Sequence, residues 1–176
     1  DQYVEKGIQY DENGNILTMQ RTANGILVDD LLYVYEGNRL TSLKESIRTS
    51  PAGDIYLPGS TPNGTFSYDE NGNMISDSRN ALKLEYNCLN LLRDVKTTSG
   101  VLKARYRHLA DGTKLDVRDN NEVNGFDYLG SLTYKKSSMG LQLESASFGE
   151  GEIQANVSNS VGNEVNYFLT DHLGSV

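Results

Sequence analysis

The hexapeptide YDENGN occurs at Tyr10–Asn15 and again at Tyr68–Asn73, and it marks one place in a repeat that runs through the chain. Aligning on an aromatic residue that precedes a turn gives eight segments: GIQYDENGNIL (7–17), LYVYEGNRLTSL (32–43), TFSYDENGNMI (65–75), KLEYNCLNLLRDV (83–95), KARYRHLADGTKL (103–115), GFDYLGSLTY (125–134), SASFGEGEIQ (145–154) and VNYFLTDHLGSV (165–176). The anchors are Tyr10, Tyr35, Tyr68, Tyr86, Tyr106, Tyr128, Phe148 and Tyr167, at spacings of 25, 33, 18, 20, 22, 20 and 19 residues. A unit of about 20 residues is too short for a strand–helix–strand crossover, which needs roughly 30. It matches two strands of about six residues and two turns.

Periodicity supports the strands. Apolar residues alternate in Gly7-Ile8-Gln9-Tyr10, Phe66-Ser67-Tyr68 and Leu82-Lys83-Leu84-Glu85-Tyr86, and a second run follows each turn, as in Asn15-Ile16-Leu17-Thr18-Met19 or Leu92-Arg93-Asp94-Val95. A period of two marks a strand with one buried face, and no segment holds a 3.6 period over ten residues. The turns carry their own chemistry. In Asp11-Glu12-Asn13-Gly14 the Asp bonds forward to backbone amides, Asn tolerates positive φ and Gly takes it freely. Five Asn-Gly pairs, at 13–14, 24–25, 63–64, 71–72 and 124–125, are strong short hairpin signals. Pro51, Pro58 and Pro62 all fall in one stretch, and proline cannot donate to a ladder, so 44–64 reads as an irregular insertion.

The expected fold is therefore all-β: consecutive antiparallel hairpins of about 20 residues forming a curved, spiralling sheet strip, a single unit over 1–176. Tyr (11) against Phe (4), no Trp and 17 Gly suit short strands and tight turns. Hydrophobic content of 37% with mean hydropathy −0.52 predicts a thin core and one wet face. A net charge of −8 and a pI near 4.7 argue against nucleic acid or an anionic membrane surface, which need a concentrated basic patch. No apolar run reaches the ~18 residues of a membrane span. The opening DQYVEKGIQY lacks the layout of a signal peptide and reads as mid-domain sequence, so an excised fragment is expected.

Three chemical roles compete with the structural one. Asp11, Asn13 and Asn15 fall at positions 1, 3 and 5 of a calcium loop, but such a loop needs Gly at 6 and Glu at 12. Here those positions hold Ile16 and Thr22, and around Asp69, Asn71 and Asn73 they hold Met74 and Asn80. Cys88 is the one cysteine, so no internal disulfide and no multi-cysteine zinc site exists. Cys88 with His108 offers a nucleophile and a base, with nothing local to support the pair; His172 sits in a polar turn-like segment. Tyrosines at regular spacing could form a carbohydrate platform, or they stack on one another across neighbouring hairpins. One tyrosine per unit, always just before the turn, favours stacking. No catalytic, cofactor-binding or metal-ligating residue is assigned, no cofactor is expected, and no enzyme activity. Asn63-Gly64-Thr65 and Asn156-Val157-Ser158 fit glycosylation sequons, which mean little if the source is bacterial.

YDENGN(I/M), LEYNCLNLL, ARYRHLADGTKL and NYFLTDHLGSV together resemble the tyrosine–aspartate (YD) repeats of the Rhs family, and DHLGSV within 165–176 resembles the start of the Rhs repeat-associated core region. The resemblance covers nearly the whole chain and is weakest over 44–64 and 137–164. The family holds bacterial polymorphic toxins, shell-forming subunits of insecticidal toxin complexes and animal teneurins. It implies a sheet strip laid down hairpin by hairpin, spiralling into a secreted or cell-surface shell around a C-terminal toxin cargo. Family members often cut themselves with acidic residues downstream of the DHLGS segment; the sequence in hand stops at Val176, and no catalytic role is carried over. The implied partners are the rest of the parent chain and the enclosed cargo. Cell-surface glycans are the alternative partner. Two open edges and an apolar face also predict self-association.

Overall fold

A computed structural model describes residues 3–47, 63–155 and 162–169. Among them no helix forms, and the strands are β1 (Tyr3–Tyr10), β2 (Ile16–Ala23), β3 (Ile26–Glu36), β4 (Arg39–Glu45), β5 (Gly64–Tyr68), β6 (Met74–Asp77), β7 (Leu82–Tyr86), β8 (Leu92–Thr97), β9 (Leu102–His108), β10 (Lys114–Asp119), β11 (Gly125–Leu129), β12 (Leu132–Ser137), β13 (Gly140–Phe148), β14 (Gly151–Gln154) and β15 (Glu164–Tyr167). The strand order is the chain order, β1 to β15, without a crossover, in one open sheet. The all-β hairpin series expected from the repeat is what forms. Pro51, Pro58, Pro62, the Asn156 sequon and His172 lie outside the described residues.

Contacts divide the chain into one unit of Asp1–Glu85 with Lys96–Gly100 and another of Tyr86–Val95 with Val101–Val176. In the first unit, β2 and β3 are joined by the two-residue turn Asn24-Gly25, with φ 51° and 77° and Ala23 opposite Ile26, as the twist of a tight hairpin demands. The other Asn-Gly pairs do different work. Asn13-Gly14 and Asn71-Gly72 close longer loops, while Gly64 and Gly125 already begin strands. Four of the five Asn-Gly pairs place the glycine at positive φ and Asn63-Gly64 does not, and only Asn24-Gly25 forms a two-residue turn.

Among the described residues the core of this first unit is small: Ala23, Val28, Leu31 and Leu43 are the buried apolar ones. Charged groups share the interior. Asp29 is 1% exposed and accepts from Arg21 Nε at 2.7 Å. Buried Glu45 takes the backbone amides of Asp30 (2.9 Å) and Ile47 (2.8 Å) on one oxygen, and its own N–H donates to Asn63 Oδ1 at 2.8 Å. These bonds tie Asn63, just before β5, to the end of β4. Sequence alternation suggested an apolar inner face; a mixed one forms, in which Asp29 and Glu45 keep hydrogen-bond partners beside the apolar side chains.

Candidate functional site

The two YDENGN turns are the same object built twice. Asp11 N donates to Asn15 O (3.0 Å) and Gly14 N to Asp11 O (3.1 Å). Asp11 Oδ1 accepts from Asn13 N (2.9 Å) and Asn15 N (2.8 Å), and Oδ2 from the Asn15 side-chain amide (2.8 Å). In the second copy Asp69 N donates to Asn73 O (2.9 Å) and Gly72 N to Asp69 O (3.1 Å). Asp69 takes Asn71 N at 3.0 Å, Asn73 N at 2.8 Å and the Asn73 amide at 2.9 Å. Gly14 and Gly72 carry φ of 84° and 87°, the left-handed step that returns the chain. The residues at calcium-loop positions 1, 3 and 5 therefore meet as hydrogen-bond partners of one carboxylate. Among the described residues no three of His, Cys, Asp and Glu gather into a metal-holding group.

Later units keep the device and exchange its parts. Asn87 Oδ1 accepts from Leu89 N (2.9 Å) and Leu91 N (3.0 Å), with Asn90 at φ 58° in place of glycine. Asp119, at the other end of its hairpin, takes three backbone amides at 3.1–3.3 Å and the Asn124 side chain at 2.7 Å. The side-chain amide of Asn15 holds Asp11 below the usual carboxylate range; Asn73 does so for Asp69, the Thr113 backbone N–H for Asp111, and Asn124 for Asp119. With folded pKa values below the unfolded ~3.9, these groups stabilise the fold above that pH, and the stabilisation is lost as pH falls through ~3.9 toward the lower folded values. Thermal melts between pH 6 and pH 2 are expected to show a plateau and then an acid decline. Asp69→Asn, which copies Asn87, should have a shallower decline; identical acid profiles for variant and parent would sink this account.

All eight anchoring aromatics lie on odd-numbered strands near their C-terminal ends. Strands two apart are separated by ~9.6 Å, too far for flat ring stacking, so the even strand between them decides what each ring meets. On β10, Lys114 Nζ lies 5.6 Å from the Tyr106 ring and 5.5 Å from the Tyr128 ring. On β4, Arg39 sits 6.0 Å over Tyr68, whose hydroxyl donates to Leu40 O at 2.9 Å. On β14 the intervening residue is Gly151, opposite both Phe148 and Tyr167. With no side chain there, these rings meet edge-on at 5.8 Å and 83°; a Cβ on Gly151 would fall 2.6 Å from Phe148 Cζ. Tyrosine-on-tyrosine stacking is thus corrected for these residues to cation-bridged rings and one direct aromatic pair.

The second unit has two distinct faces, because paired residues share a face. One continuous line of partners runs Leu129–Leu132–Ala146–Ile153–Val165, beside Asp127–Tyr134–Leu143 and Phe148–Gly151–Tyr167. The opposite face carries Thr133, Ser145, Gln154 and Glu164 in one line, with Ser147, Glu152 and Asn166 in the next. Toward β8–β10 the first face becomes ionic. Arg105 grips buried Asp94 with Nε (2.7 Å) and Nη2 (3.2 Å). Arg107 Nε donates to Asp116 at 3.0 Å. Arg118, 3% exposed, pairs with Asp127 and donates to Val117 O and Phe126 O, both at 3.0 Å.

Cys88 is exposed in the turn after β7, His108 ends β9 half-buried, and no hydrogen bond joins them. The charge ladder was not anticipated, although Asp94, Arg105, Arg107, Asp116, Arg118 and Asp127 stand at alternating positions of predicted strands, which was the available signal. No family model matches the chain, and no curated protein matches it. Among solved structures, a crystal structure of TcdB2-TccC3 is similar over 98% of this chain and 14% of that one, at 10% identity and a TM-score of 0.33. The chain spans only about that seventh of the solved chain's length.

Proposed function

We propose that this chain is a stretch of wall in a secreted or cell-surface Rhs-type protein of bacterial origin, whose sheet encloses a toxin or effector domain carried further along the same polypeptide. The observation that carries this reading is the repeated turn: two copies of YDENGN make the same set of hydrogen bonds, and each hands the chain to the adjacent strand. The Asp11 and Asp69 carboxylates and the Asn15 and Asn73 amides are spent on turn geometry, which supports sheet extension as the work of the repeat. In this reading the chain performs no catalysis and holds no cofactor; its partners are the parent polypeptide and the enclosed domain. Limited proteolysis of the whole polypeptide tests it. The downstream domain is expected to resist protease in native buffer and to become sensitive where denaturant melts the repeats. Equal sensitivity in native buffer would overturn the proposal.

Carbohydrate adhesion is the second reading, favoured by the rings of Tyr10 and Tyr167, which are 58% and 69% exposed. A glycan array distinguishes it: loss of one specific glycan by a folded Tyr10→Ala or Tyr167→Ala protein would replace the wall reading.

A further inference from the structure

We propose that the apolar face of β11–β15 is the contact surface of a two-fold dimer of this chain. The inference rests on the strand register and stands independently of the wall reading. Leu129, Leu141, Leu143, Phe148, Val165 and Tyr167 are 68%, 57%, 39%, 38%, 49% and 69% exposed, and the pairing lines place them on one side of five consecutive strands. At roughly 100 Å² of exposed side chain each, together with Ile153 they present about 700 Å², close to the ~800 Å² per partner of a standard interface. A contiguous bare patch of that size exceeds what monomers ordinarily leave in water.

Charge selects the occupant. The ions that border the patch are already paired within the sheet, Arg107 with Asp116 and Arg118 with Asp127, so the face offers little unbalanced charge to attract an ionic ligand. Lys136, opposite Leu141 beside the Ser138-Met139 turn, stands at the rim. The acids Glu152 and Glu164 lie on the other face and do not confront each other when two apolar faces meet. A second copy supplies the matching surface: two twisted antiparallel sheets pack face to face, about 10 Å apart, as in a sandwich.

The test is the mass of the 176-residue chain in solution, by light scattering after gel filtration and by sedimentation from 5 to 200 µM. The expected mass is twice the 19.5 kDa of one chain. Leu143→Lys places an ammonium on the buried face and is expected to raise the dissociation constant on the order of 100-fold or more, with far-UV dichroism and melting retained. Ser147→Lys, on the opposite face and across from Glu152, should leave the dimer intact. Should Leu143→Lys fail to fold, Val165→Lys on the short strand β15 serves as the second variant. A monomer at 200 µM overturns the proposal. So does a dimer that survives the face variants, as pairing through the β15 edge would, or an assembly larger than two.

Discussion

Arg118→Met is expected to lower the stability of the second unit by about 3 kcal/mol, the lower end of what removing one member of a buried ion pair costs. The reason lies in the register. Asp116 stands directly opposite Asp127, a like-charge pair that a sheet resists. Arg118 resolves the conflict: Nη2 pairs with Asp127 and lies 3.7 Å from Asp116, while Nη1 satisfies two carbonyls. Methionine keeps the apolar stem and leaves both carboxylates facing each other. The Asp127 side chain is 29% exposed, so water relieves part of the repulsion and keeps the cost from rising further. Urea denaturation of the Arg118→Met protein measures it. The double variant with Asp127→Asn should recover part of the loss, because one of the opposed charges is gone. A full additive loss would refute the pairing argument.

Gly125→Ala is the second large effect, at roughly 3 kcal/mol from overpacking and backbone strain together. Gly125 opens β11 with φ 155°, and a Cβ there would lie 1.9 Å from the Val117 carbonyl oxygen. No rotamer relieves a clash with backbone, so β10 and β11 must separate where Arg118 pairs with Gly125 in the ladder. Gly149→Ala is the matched control, since a Cβ there meets nothing within 4 Å. The expected outcome is a large fall in melting temperature for Gly125→Ala and almost none for Gly149→Ala. Equal effects would show that loop entropy, not the close approach, governs these glycines.

Much of the architecture was legible because turns are local chemistry. Tyr10, Tyr35, Tyr68 and the rest announce strand ends, and Asp11 and Asp69 announce the loops that follow; each signal acts within about five residues. What was hidden depends on neighbours two strands away. Whether a ring meets a cation or another ring is decided by Arg39, Lys114 or Gly151 on the strand between, and no spacing within one repeat reveals that residue. Bulges add to this: the register shift between Thr133 and Tyr134 on β12 helps put Phe148 on the apolar side, whereas Tyr128 lies with Thr133 on the polar one. The interior charges escaped for a related reason. Asp94 or Arg118 alone reads as a solvated position, and only the assembled ladder makes burial affordable by supplying each charge with its counterion.

The chain-ordered sheet has a consequence for how the molecule comes into being. Each described strand pairs with the described strand before it in the sequence, so most ladders close short loops and contact order stays low. A newly emerged segment finds its template already in place as the last edge. Assembly can therefore advance from the N-terminus at the pace of synthesis, without waiting for distant sequence. Because the growing end is always an open edge, delay between hairpins is the moment of greatest exposure to foreign strands, and the quick, self-closing aspartate turns keep that interval short.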